Sequence, residues 1–290
     1  MKIDVTTANS SPSANNYVFF QHRLEGSDLQ QFAKGYSDAK QYTLSFHVKS
    51  PKTGVHVVQW EDVQNTRSTS KSYTVSQANT WEKHTITFDA DTTGVISNDA
   101  SHRMQLYFWL MAGSTYNTGN ASDLATTWAS TGAASRASGQ VNCFDSTSND
   151  FYITGIQLEA GSVATPFEHR REREELALCS RYYQKIAEGN QKAIAIAYGY
   201  NGTYLDWVLH NPMGPMRTNP SLDQVNGTGY YNYYNSSQGG LGLNSNFIIE
   251  HGQICQSNVY FDPDGTVNPG ESGYLKTNNA AAYLAVQAEL

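Results

Sequence analysis

Charge is scarce in this chain: only 16% of its 290 residues are Asp, Glu, Lys or Arg. Lys and Arg total 19 against 26 Asp and Glu, which sets the net charge at −7. A general nucleic-acid binder needs a basic surface, and this balance excludes one. Long apolar runs are missing too. None approaches the roughly 18 residues that cross a bilayer, so no membrane insertion is expected. The opening Met1-Lys-Ile-Asp-Val-Thr-Thr-Ala-Asn-Ser has no apolar segment of the kind that directs secretion. Cys143, Cys179 and Cys255 are odd in number and at no metal-ligand spacing. Reduced, mostly buried thiols are expected, with an interchain disulfide as the alternative. No HExxH, GxSxG or Cys/His pattern occurs, and His102, His169, His210 and His251 stand apart. No catalytic residue, metal ligand or cofactor is therefore assigned.

What is present favours strands. Thr, Ser and Asn are abundant and Tyr occurs 19 times, a composition that suits extended structure better than helix bundles. Apolar residues make up 39%, with 5 Trp and 11 Phe spread along the chain, enough to build a core rather than a disordered coil. Leu44, Phe46 and Val48 alternate with Thr43, Ser45, His47 and Lys49, as in a half-buried strand. Residues 55–60, 72–75 and 85–88 repeat the pattern. Gln105-Leu-Tyr-Phe-Trp-Leu-Met is nearly all apolar, as in a central strand covered on both faces. Residues 113–150 form a polar stretch too long for an idle loop, so it is either a surface excursion or a site. Such short strands between turns predict a jelly-roll-like β-sandwich over residues 1–168.

Residues 172–186 predict a helix. Leu176, Cys179, Tyr183 and Ile186 fall on one face of it, acidic residues lie near its start, and Gly189-Asn190 stops it. A helix this short needs a partner. Three copies meeting along that stripe would form a trimeric neck; packing within the chain is the alternative. Residues 169–190 are thus read as a helical connector and 191–290 as a second, smaller β-domain. Its candidate strands are 194–198, 203–209, 246–249, 258–261 and 282–286, with Pro212, Pro215 and Pro220 in an extended linker.

Residues 151–183 read FYITGIQLEAGSVATPFEHRREREELALCSRYY. Phe151, Ile153, Ile156 and Leu158 start this segment as a strand, with Gly155 marking a bulge. The motif series "ITG-QLE-G", "ATPFEHR" and "EELALC-RYY" resembles virion structural proteins of tailed bacteriophages, especially marine-phage tail-fibre and receptor-binding proteins with a sandwich like that of carbohydrate-binding modules. Residues 5–13, 42–50, 78–88 and 91–94 are similar to the same group, and the last third matches more loosely through residues 215–221 and the closing Ala288-Glu289-Leu290. The resemblance implies a non-enzymatic, homotrimeric virion protein that touches a host surface glycan, made in the bacterial cytoplasm and carried on the tail or head surface. Its partners would be copies of itself, other virion proteins and the glycan. A head-decoration, collar or adaptor protein is the alternative. Two carboxylates that meet only in space leave no sequence trace, so a polysaccharide depolymerase stays open as a third reading.

The tyrosine patch Gly229-Tyr-Tyr-Asn-Tyr-Tyr-Asn suits sugar contact, because a phenol offers a flat apolar face and a polar edge. Tyr231, Tyr233, Tyr234 and Asn235 are the candidate glycan residues, with Trp128 as a stacking element on the 113–150 stretch. In a strand, Tyr231 and Tyr233 share one face and Tyr230 and Tyr234 the other, so one pair is core and one exposed. Packing of these rings in the core is the competing expectation. Trp60 and Trp81 are read as core or edge packing. Residues 262–271 are read as a tight turn, with a calcium loop as the alternative.

Overall fold

A computed structural model describes residues 1–211, 213–237, 239–243 and 246–289; Pro212 of the expected linker and the closing Leu290 lie outside them. The chain is mainly β and divides into two compact units, Met1–His169 and Arg170–Glu289.

The first unit contains β1 (Lys2–Asp4), β2 (Tyr17–Glu25), β3 (Tyr42–Lys49), β4 (Gly54–Asp62), β5 (Arg67–Val75), β6 (Glu82–Phe88), β7 (His102–Ala112), β8 (Ala129–Ser130) and β9 (Asp150–Ala160). They form two antiparallel sheets in the orders β1-β9-β3-β6 and β2-β7-β4-β5-β8. With the two-residue β8 set aside, the first strand pairs with the last, the second with the next to last, and so inward to β4 with β5. That nesting is the jelly roll. The inward rows of both sheets, including Phe46, Trp60, Phe88, Phe108 and Phe151, make one aromatic core. Each such side chain contributes about 1.5–3 kcal/mol by leaving water.

β7 is covered on both faces. Leu106 and Phe108 enter the core, while Tyr107 and Trp109 point to the opposite face. The stretch after β7 folds back over that face and seats Tyr116, Leu124 and Ala137 on it. Arg136 lies over the Tyr107 and Trp109 rings, 5.6 and 5.9 Å from their centroids, and donates to Glu61 Oε2 at 2.8 Å. Opposite Phe46, β9 carries the extra residues of a bulge: Ser45 pairs with Gln157 but His47 with Thr154. Gly155 takes φ +59 there, a left-handed conformation that costs other residues energy.

Beside the core lies a buried ion cluster. Lys34 Nζ donates to Asp62 Oδ2 at 2.5 Å and to the carbonyls of Thr93 and Gly94 at 2.9 and 3.0 Å. It also sits 3.1 Å from Asp91, which Arg67 grips through two N–H bonds of 2.8 and 2.9 Å. Burial pushes the Asp91 carboxyl up, but Arg67 and Lys34 outweigh it and hold the group below its ordinary range. Cys143 is buried beside His56, and burial pushes its thiol up to about 12. Cys179 and Cys255 are exposed, contrary to the expectation of mostly buried thiols.

The second unit contains α1 (Glu172–Cys179), β10 (Tyr183–Glu188), β11 (Ala193–Gly199), β12 (Leu205–His210), β13 (Ser221–Val225), β14 (Tyr231–Asn235), β15 (Gly239–Gly242), β16 (Ile248–Gly252), β17 (Gln256–Phe261), β18 (Ser272–Thr277) and β19 (Tyr283–Gln287). A three-stranded sheet, β10-β19-β13, and a seven-stranded sheet, β15-β14-β18-β11-β12-β17-β16, share a second core around Trp207, Phe247 and Phe261.

The expected helix over 172–186 is corrected. It ends at Cys179, and Tyr183–Glu188 pairs antiparallel with β19. The helical face of Leu176, Cys179, Tyr183 and Ile186 therefore does not exist. Leu176 is 56% exposed on α1, where no residue is buried, and Cys179 is exposed. Tyr183 donates its hydroxyl to Asp223 Oδ2 at 2.9 Å, and Ile186 packs on the second core. Eight residues without a buried face gain little from helix propagation, whereas every residue of β10 but the bulged Ile186 gains a ladder partner on β19. From Arg170 onward the stretch 169–190 groups with the second unit.

Candidate functional site

The expected tyrosine patch comes apart by strand parity. Tyr231 and Tyr233 point inward from β14 and are 1% and 0% exposed. Tyr231 Oη lies 2.6 Å from the Tyr283 carbonyl and 2.8 Å from that of Val225. Burial pushes this hydroxyl up to about 12. Tyr233 donates to the Glu271 carbonyl at 3.2 Å. Neither ring has a face for a sugar. Tyr234 points outward, stacks on Tyr274 at 5.1 Å, and carries Lys276 Nζ 4.3 Å from its ring centroid. Asn235 ends the same strand and is half-buried. Trp128 is half-buried against the first core, with Nε1 donating to the Asp89 carbonyl at 2.8 Å. It anchors the excursion and is no stacking platform. Trp60 is in the core, while Trp81 is 47% exposed beside Tyr152 and Lys49.

A different set of tyrosines lines a cleft on the outer face of the seven-stranded sheet. Leu205, Trp207 and Leu209 of β12 and Val259 and Phe261 of β17 fill the core, so Asp206 and Tyr260 face out. Asp206 pairs with Tyr260, and Tyr260 with Ile248, in one row across β12, β17 and β16. The turn between β11 and β12 brings up Tyr200 and Tyr204. Asn201 shapes that turn: its Oδ1 accepts from the backbone N–H groups of Thr203 and Tyr204 at 2.8 and 2.9 Å. Tyr204 then meets Tyr260 edge to face at 5.6 Å. On the far side β16 bulges between Ile249 and His251, and Glu250, the extra residue, lines the cleft. The cavity measures about 360 Å³, within the range of small-molecule sites.

The floor is acidic. Asp206 is 5% exposed, and burial followed by the charge of Glu250 raises its pKa, while a hydrogen bond from Asn258 opposes them. Asn258 Nδ2 also reaches Glu250 Oε2 at 3.3 Å. No Lys, Arg or His lines the cavity among the described residues. The arrangement offers aromatic faces for an apolar ring surface and carboxylate acceptors for O–H or N–H donors. Nowhere among the described residues do three His, Cys, Asp or Glu side chains converge as a metal site would require.

Sequence reasoning missed this cleft because it weighed the dense tyrosine run. The signal in reach was Tyr198-Gly-Tyr200-Asn-Gly-Thr-Tyr204, three tyrosines about an Asn-Gly turn.

No protein-family model matches the chain, and no curated protein does. Among solved structures, a chain of Red Clover Necrotic Mosaic Virus is similar at 11% identity and a TM-score of 0.18, covering 99% of this chain and 95% of that one. Oxalate decarboxylase from Bacillus subtilis is similar at 12% identity and a TM-score of 0.13, covering 99% and 75%. Overlap at these TM-scores carries no argument about fold or function.

Proposed function

We propose that the chain is a non-enzymatic virion protein of tailed bacteriophages, of the tail-fibre type, which contacts a host surface glycan through the tyrosine-lined cleft of its second unit. The observation that carries this reading is the cleft itself: Tyr200, Tyr204 and Tyr260 around a buried carboxylate in about 360 Å³. The motif series in residues 151–183 supports the virion setting. A homotrimer would present three such clefts, and tethered weak sites gain by effective concentration without new contacts. The test is a glycan panel probed with wild type and with Tyr204→Ala. Retention of a host envelope glycan by wild type, weakened at least fivefold in the variant, is the expected result. Failure to bind any envelope glycan at millimolar concentration would overturn it.

A second reading, a decoration or adaptor protein that grips other virion proteins, draws on the same sheet. Ile196, Tyr198 and Tyr274 project from β11 and β18 and are 75%, 40% and 50% exposed, an apolar surface suited to protein contact. Immunogold electron microscopy with an antibody to the second unit separates the two: gold at the tail periphery supports the fibre, gold on the head the decoration protein.

A further inference from the structure

We infer that the cleft accepts a sugar whose polar groups can donate, hydroxyls or a protonated amine, and excludes sugars bearing a carboxylate, sulfate or phosphate. The inference rests on the glycan reading of the cleft and adds the chemistry of the ligand. Two carboxylates face the cavity, Asp206 on its floor and Glu250 at its rim, and no cation among the described lining residues compensates them. Asn258 is shared between both carboxylates. A carboxylate oxygen has lone pairs beyond one such bond, so each acid keeps acceptor capacity toward a ligand. Asp206 is nearly closed from water except through the cleft, being 5% exposed. A donor from the ligand therefore replaces a poorly hydrated contact and forms a charge-assisted bond. An anionic substituent meets the buried Asp206 charge where water screens poorly, with the exposed Glu250 charge beside it.

The Tyr204–Tyr260 pair orients the ligand consistently with this. Tyr204 and Tyr260 stand edge to face, so one of them offers a face to the sugar while the other closes the side. Asp206 neighbours Tyr260 in register, which puts the acceptor beside the apolar face. A sugar laid on the ring then turns its equatorial edge to the carboxylates. Hydroxyls and an ammonium satisfy that edge equally well in kind, and the experiment separates them.

The test uses the full chain and three soluble oligosaccharide sets of equal length: neutral glucose oligomers, glucosamine oligomers and galacturonate oligomers. Isothermal titration is run with wild type, Asp206→Asn and Glu250→Gln. For wild type, galacturonate oligomers are expected to bind at least tenfold more weakly than the better of the other two sets. Glucosamine ahead of glucose identifies the ammonium as the donor, and parity identifies the hydroxyls; both support the inference. Each substitution is expected to shrink the discrimination at least threefold by improving galacturonate binding. Glu250 is exposed, so Glu250→Gln reads the charge without threatening the fold even if Asp206→Asn disturbs it. Galacturonate binding as tight as the neutral set, or discrimination unchanged in Glu250→Gln and Asp206→Asn alike, overturns the inference and leaves the glycan reading standing. Absence of binding to every set, together with a blank glycan panel, overturns both.

Discussion

Replacing Lys34 with Met keeps the aliphatic stem and deletes a cation that the first unit buries almost completely. The ammonium has four oxygen neighbours within 3.1 Å, from Asp62, Asp91, Thr93 and Gly94, and the Trp128 ring 5.2 Å away. The Lys34, Asp62 and Asp91 side chains are 1%, 0% and 4% exposed, so water does not replace what is lost. Asp91 still holds the Arg67 fork. Asp62 retains only the backbone and side-chain amides of Asn65, each at 2.9 Å. Breaking a buried pair by removing one partner costs about 3–5 kcal/mol, most of it from the charge left behind. For a unit of this size that corresponds to a melting temperature lower by roughly 6–20 °C. Urea unfolding followed by tryptophan fluorescence reads the effect, because Trp60, Trp81, Trp109 and Trp128 all lie in the first unit. Asp62→Asn in the Lys34→Met background is expected to cost at least about 1.5 kcal/mol less than the sum of the single changes. A loss below about 1 kcal/mol for Lys34→Met, or strict additivity of the pair, would refute the buried-cation account.

Burial holds the His56 imidazole at about 4, against 6.5 for the free group. The unfolded chain therefore takes up this proton first as pH falls. Stability is full above about pH 6.5, declines through that window, and levels off below about pH 4, a loss of about 3 kcal/mol. Equilibrium unfolding of His56→Phe between those limits is expected to show a flatter profile than wild type; an equally steep one contradicts the assignment. Tyr231→Ala, which empties a core position, is expected to destabilise the second unit by about 3–5 kcal/mol. Tyr234→Ala, at the surface, is expected to cost under about 1 kcal/mol, and equal losses in denaturant melts would sink the inside–outside assignment of β14. Gly155→Ala places a Cβ 3.2 Å from His47 Nδ1 at φ +59, so calorimetry is expected to show a loss of roughly 1–2 kcal/mol.

Much of the fold is legible in local patterns. Residues 42–49 alternate because one sheet face meets the core. Residues 105–111 do not alternate because both faces of β7 are covered, one by the core and one by the returning excursion. Gly155 announces its bulge because few other residues tolerate φ +59. Tyr183-Gln-Lys-Ile186 is ambiguous by nature: apolar residues three apart satisfy a helical face and a bulged strand alike, and only β19, a hundred residues on, decides. The tyrosine run shows the same limit. Local sequence says that Tyr231 and Tyr233 share a face, but which face is core depends on β18 and the sheet beneath. The cleft is less legible still, since Tyr204, Asp206, Glu250 and Tyr260 come together only when β12, β17 and β16 lie side by side. Lys34 is hidden for the opposite reason, because a single lysine between Ala33 and Gly35 reads as surface.

The most direct measurement is to label the tyrosine rings isotopically and follow their NMR signals while host envelope polysaccharide is added. The account predicts shifts at Tyr200, Tyr204 and Tyr260, with Tyr231 and Tyr233 unmoved. Unchanged cleft signals at millimolar sugar, or shifts confined to Tyr234 and Tyr274, would contradict it.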